Sequence, residues 1–114
     1  MINIAVWERL RNELTAKNVT LIAVSKTKPV ADIKELYEHG QRDFGENYVQ
    51  ELVDKHEELP GDIAWHFIGH LQSNKVKFIV PFVHLIHGVD SFKLFSEINK
   101  QAAKCHRVID VLLQ

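Results

Sequence analysis

Residues 21–30 read LIAVSKTKPV. LIAVSK (21–26) reads as a strand covered on both faces, as in a parallel sheet, because its apolar run does not alternate. Pro29 closes the run, and Ser25-Lys26-Thr27-Lys28 puts two lysines where it ends. Upstream, Ile4, Trp7, Leu10 and Leu14 recur at helical spacing and predict an amphipathic helix over 3–17. Downstream, Ile33, Leu36 and Tyr37 share one face of a short helix that Gly40 can end. RDFGEN (42–47) predicts a second strand and NYVQELVDKHEEL (47–59) a second crossover helix. AWHFIG (64–69) is a third strand, and QSNKVKFIV (72–80) a short helix ended by Pro81. HLIHGVD (84–90) is a fourth strand, and Phe92, Phe95, Ile98, Ala102 and Cys105 make the buried stripe of the helix after it. RVIDVLLQ (107–114) is the fifth strand.

Strands alternating with helices over short connections mean a parallel sheet with crossover helices, hence an α/β fold. A doubly wound sheet and a (β/α)₈ barrel of the TIM type both satisfy that order. The glycines stand at 40, 45, 61, 69 and 88, with no GxGxxG spacing, which disfavours a dinucleotide-binding sheet and favours the barrel. Such a barrel needs eight strand–helix units and about 250 residues. The chain has 114 residues, and VIDVLLQ is apolar almost to its end with no helix after it. The expectation is that 1–114 forms the N-terminal part of a single barrel domain, incomplete, with five parallel strands and their helices. Its unpaired apolar edges would favour self-association.

Hydrophobic residues make up 46% of the chain and charged residues 25%, enough for one core. Lys+Arg 14 against Asp+Glu 15 gives a net charge of −1, without the basic stripe that nucleic acid or an anionic membrane requires. The single cysteine, Cys105, cannot form an internal disulfide, which fits a reducing compartment. The charge-interrupted start MINIAVWERLRNEL lacks a signal-peptide apolar core, and no apolar run approaches a membrane span. The expected location is the cytoplasm.

In parallel α/β architectures, function gathers at the C-terminal ends of the strands. Lys26 lies there, with Ile22, Val24 and Lys28 sharing its parity. It is either an imine-forming lysine for a carbonyl ligand or a solvated strand cap, and composition alone favours the cap. Asn47 can reach a ligand at the barrel mouth, or can cap the second crossover helix with Gln50 in a capping box. His66 shares a face with Ile68, while Trp65 and Phe67 take the other, and one of these faces must point into the barrel. Seven histidines raise the question of a metal. The pairs His66/His70 and His84/His87 fall on strands and loops, and no carboxylate or cysteine completes a set, so no metal site is expected. No GxSxG elbow is present, and Cys105 sits at helix-core spacing.

AVSKTKPV, FGENYVQE and WHFIGHLQSNK together resemble the YggS-like family of pyridoxal phosphate homeostasis proteins (PLPBP in animals), in the family's order and spacing over nearly the whole chain. The resemblance implies a barrel related to the N-terminal domain of alanine racemase, without that enzyme's second domain. It implies pyridoxal 5′-phosphate as cofactor, held as a Schiff base on the first lysine of SKTK, which is Lys26 here. Asn47 and His66 occupy motif positions near that cofactor. The implied role is intracellular homeostasis of the cofactor without established turnover, in a monomeric full-length protein, with cofactor-dependent enzymes as possible clients. His70 stands where many members carry a small residue or proline. The family's phosphate-binding loops and their arginine fall beyond Gln114, so weak cofactor binding by 1–114 is expected. Two other readings stay open: a racemase-like enzyme using the same lysine, and a fragment with no function of its own. Racemisation needs a base on each face of the substrate carbon, and Tyr37 and Tyr48 both belong to helical segments.

Overall fold

The first turn of the fold is set by Asn3, whose side chain accepts from the Val6 amide at 3.2 Å and starts α1 (Ile4–Ala16). A computed structural model describes residues 2–114; Met1 lies outside the described residues. The strands are β1 (Ala23–Val24), β2 (Asp43–Glu46), β3 (Ala64–Phe67), β4 (Leu85–Val89) and β5 (Asp110–Leu113). Between them run α2 (Val30–Glu38), α3 (Val49–Glu58), a 3₁₀ turn (Ser73–Lys75) leading into α4 (Val76–Ile79), and α5 (Phe92–Lys104).

All pairings are parallel, and the sheet order is β1-β2-β3-β4-β5. Each strand lies beside its neighbour in sequence, without the reversal of direction that creates a switch point in doubly wound sheets. This is barrel-type winding, with β1 and β5 as open edges, so the barrel is not closed.

Register decides which face is which. Ala23, Phe44 and Trp65 lie opposite one another, as do Val24, Gly45 and His66. The first row points toward the helices. Phe44, Trp65, Phe67 and Ile86 are at most 1% exposed and share one core with Ile33 and Leu36 of α2, Leu52 of α3, Ile79 of α4, and Leu94 and Ile98 of α5. The second row forms the opposite face, where Val24 and Leu112 are exposed. Burying apolar area on the helix side alone supplies this core, at about 25 cal/mol per Å².

Three expectations change. The strand expected over 21–26 pairs only at Ala23–Val24, and Val24 is 53% exposed, because an edge strand has helices over one face only. In α5 the buried stripe is Leu94, Ile98 and Ala102, whereas Phe92 is 82% exposed and Phe95 42%. Ile98 and Ala102 belong to both stripes; rotation of the helix about its axis, set by the sheet beneath, selects the leucine. In α1, Trp7 alone is buried, its indole N–H donating to Gln41 Oε1 at 2.9 Å, while Leu10 is exposed.

Candidate functional site

Lys26 stands at the rim of the open face, exposed, one residue past the last ladder bond of β1. That bond runs from the Ser25 amide to Gly45 O at 2.9 Å. Strand alternation stops at the next residue. Thr27 takes φ 61°, and the Lys28 amide donates to Ser25 O at 3.0 Å, closing a turn. Lys28 therefore leaves the parity expected for it. It lines a hollow on the helix side with Ser25, Ile33 and Phe44. The turn separates two lysines that sequence parity put together.

Both neighbours of Lys26 are held from below by a buried ionic cluster. Ser25 Oγ donates to Glu46 Oε2, a very short contact. Lys55 of α3 donates to Ser25 O at 2.7 Å, to Glu46 Oε2 at 2.9 Å and to Glu51 Oε2 at 2.7 Å. The second neighbour, Thr27, donates its amide to the same Glu51 oxygen at 2.7 Å. Glu46 is fully buried and Lys55 nearly so. Burial pushes the Glu46 carboxyl above the ordinary glutamate range, and its bonds from Ser25 and Lys55 offset this only in part. Burial also acts upward on Glu51, but the bonds from Lys55 and the Thr27 amide outweigh it and hold that carboxyl low. One cation thus fixes the backbone on both sides of Lys26 while leaving its amine in solvent.

Asn47 follows β2 directly. The expected capping box does not form: α3 starts at Val49 with Tyr48 at its cap position, no side chain caps it, and Gln50 Nε2 donates to Asp54 Oδ1 at 3.0 Å. Asn47 Oδ1 is buried without a partner. Gly69 lies so close that a Cβ there would sit 2.4 Å from Asn47 O, so the β3 end and the loop after β2 pack backbone to backbone. His70 is exposed and lines a cleft with Asn47 and Gln72.

His66 lies on the open face, as Ile68 does by parity, and Trp65 and Phe67 face the helices. By register it is level with Val24, two residues below Lys26. Its ring is buried, with Nε2 2.9 Å from Asp43 Oδ2 and Nδ1 3.1 Å from His87 Nε2. A carboxylate only accepts, so the Asp43 contact puts the His66 proton on Nε2 and leaves Nδ1 to accept from His87. Burial, with the neighbouring His66, holds His87 below the ordinary histidine range. The His84 ring meets His66 edge-on at 5.3 Å. Asp43, His66 and His84 offer ligand atoms all within 4.8 Å of one another. The carboxylate that sequence spacing did not supply is therefore Asp43, from a different strand.

Of the three residues expected at the site, Lys26 and Asn47 follow the C-terminal ends of the neighbouring strands β1 and β2, and His66 lies within β3, level with Val24. Sequence reasoning missed Glu46, Glu51, Lys55 and Asp43. Glu51 and Lys55 are spaced i,i+4 on α3, and Glu46 shares parity with Phe44, which were the available signals. Among the described residues, no helix is long and apolar enough to cross a membrane.

No family model matches the chain. It is 47% identical over 105 residues to the pyridoxal phosphate homeostasis protein of Aquifex aeolicus, covering 91% of this chain and 45% of that protein. The human protein of the same name is 48% identical over 102 residues, covering 83% of this chain and 37% of its own length. The chain thus spans less than half the length of these curated relatives. Among solved structures it is similar to PipY of Synechococcus elongatus, described as a COG0325 family member with PLP bound, at TM-score 0.85 and 44% identity, over 92% of this chain and 50% of that one. The same protein without PLP matches at TM-score 0.85 and 43% identity. In its winding, its rim lysine and these relatives, the chain is similar to the N-terminal part of the YggS-like pyridoxal phosphate homeostasis proteins.

Proposed function

We propose that this chain supplies the covalent half of a pyridoxal 5′-phosphate site, with the cofactor held as a Schiff base on Lys26. The protein it belongs to would keep free cofactor low and available in the cytoplasm, without turning over a substrate. The observation that carries this reading is the setting of Lys26: a solvent-exposed amine at a C-terminal strand end, with Ser25 and Thr27 both tied to buried Lys55 and Glu51. A bound pyridoxal phosphate contributes an aldehyde that a primary amine captures reversibly. Lys26 then needs only to be accessible and oriented. Asn47, with its unpartnered buried Oδ1 at the end of the neighbouring strand, is the proposed polar contact for the ring, and His66 would support the layer below. The names of the relatives and the PLP-bound PipY structure support the cofactor's identity.

A racemase would need a base opposite Lys26, and Tyr37 is not placed to be one. Tyr37 donates its hydroxyl to Asp62 at 2.5 Å, ahead of β3 and so at the opposite end of the strands from Lys26. Cofactor-requiring enzymes remain the proposed clients of the whole protein.

The test is the visible absorption spectrum of 1–114 with added pyridoxal phosphate, before and after borohydride, beside Lys26→Ala. The expected result is an absorption band that reduction fixes onto the peptide containing Lys26 and that the variant lacks. A band unchanged in Lys26→Ala would overturn the choice of lysine, and the absence of any band would overturn cofactor binding by this chain.

A further inference from the structure

The open face carries a second constellation, distinct from the lysine rim. We propose that Asp43, His66 and His84 form a three-ligand site for a divalent transition metal, Zn²⁺ in the first instance, with the remaining coordination position open to water.

Three strands or their approaches contribute one ligand each. Asp43 is the first residue of β2, His66 lies within β3, and His84 immediately precedes β4. Asp43 and His66 share the open face of neighbouring strands, and His84, whose amide donates to Trp65 O at 2.8 Å, enters from the segment before β4, so the three meet across the early part of the sheet. Their ligand atoms lie within 4.8 Å of one another, with Asp43 Oδ2 and His66 Nε2 only 2.9 Å apart. Metal–ligand bonds of about 2.0–2.1 Å at tetrahedral angles place ligand atoms roughly 3.3 Å apart. Asp43 and His66 are already close to that edge. His84 is exposed, on the segment leading into β4, so it is the member with room to rotate inward.

The surroundings of His66 supply what an isolated ligand trio would lack. A ligating histidine almost always engages its other ring nitrogen with a hydrogen-bonding partner that fixes tautomer and orientation. His66 has that partner in His87, whose Nε2 is 3.1 Å from Nδ1. With Nε2 turned to a metal, Nδ1 carries the proton and His87 accepts it. The His66 ring is buried, so its orientation is set by packing. Two imidazoles and one carboxylate with an open position suit zinc and its neighbours rather than calcium or magnesium, which prefer all-oxygen sets.

The site stands independently of the lysine, and its test uses no pyridoxal phosphate. Zn²⁺ is titrated into metal-free 1–114 by calorimetry near neutral pH, and Co²⁺ is used as a spectroscopic probe of coordination. The expected result is one ion per chain, with visible Co²⁺ bands that Zn²⁺ displaces. His84→Ala and Asp43→Asn should each weaken binding by about tenfold or more. Lys26→Ala and His106→Asn, both away from the trio, should leave it unchanged. His84 is exposed, so its removal does not endanger the fold. The absence of saturable Zn²⁺ binding would overturn the proposal. So would binding that survives both His84→Ala and Asp43→Asn, or binding lost equally in His106→Asn.

Discussion

Replacing Lys55 by methionine keeps most of the side-chain volume and removes the cation on which the Lys26 setting depends. Lys55 is 5% exposed and donates to three acceptors: Ser25 O, Glu46 Oε2 and Glu51 Oε2. The variant leaves a buried carbonyl and a fully buried carboxyl without that donor. Breaking a buried ion pair from one side costs about 3–5 kcal/mol, most of it the penalty of the charge left behind. With a urea slope of about 1–3 kcal/mol per molar, the unfolding midpoint should fall by roughly 1–5 M. The loss must depend on pH. Glu51 is held low in the folded protein, so the stability it contributes is present above the ordinary glutamate pKa and fades as pH falls through its lower folded value. Glu46 is already raised, and without Lys55 it rises further, so the variant recovers by taking up a proton as pH falls. The Glu46 effect shrinks the cost of Lys55→Met as pH falls from about 7 to about 5, and the Glu51 effect adds to it only below the ordinary glutamate range. In a Glu46→Gln background the same substitution should cost at least about 1 kcal/mol less, since no buried anion remains to be stranded. Urea unfolding of the four proteins at two pH values makes the measurement. A cost under about 1 kcal/mol at pH 7, or one equal at both pH values, would refute the view that this cluster is a coupled buried ionic unit.

Gly69→Ala should destabilise the chain by about 1–3 kcal/mol and lower pyridoxal phosphate uptake at Lys26, because the new Cβ would overlap the Asn47 backbone. Unfolding midpoint and the borohydride-fixed yield report the two effects, and an unchanged midpoint would contradict the close backbone approach. In α5, Leu94→Ala should cost about 2–5 kcal/mol. Phe92→Ala should stay within about 0.5 kcal/mol, since Phe92 is exposed. The reverse order in urea unfolding would mean the helix is rotated to the other stripe.

Local pattern carried much of the fold. The alternation of strands and helices, the absence of a phosphate loop and the motif around Lys26 are properties of neighbouring residues, and neighbours are what a sequence displays. Five strands were legible, though most were read two or more residues too long, because a strand ends where its ladder with the neighbour ends and the sequence does not display that. The boundary of β1 was the weakest, since β pairing depends on a partner strand that the run LIAVSK does not contain.

What the sequence determined by itself was the parallel α/β class, the strand-end position of Lys26 and the motifs that carry its resemblance to the homeostasis proteins. What only the tertiary structure decided was which side chains meet. The φ of 61° at Thr27 sends Lys28 away from Lys26. The packing of α5 buries Leu94 in place of Phe92. Register between β2 and β3 sets Asp43 beside His66, and the approach to β4 brings in His84. The fold of α3 over the sheet carries Lys55 to Ser25, thirty positions away. Periodicity records which face of its own element a residue occupies. Contact between elements depends on register, helix rotation and backbone turns, and these are settled only when the whole core packs at once.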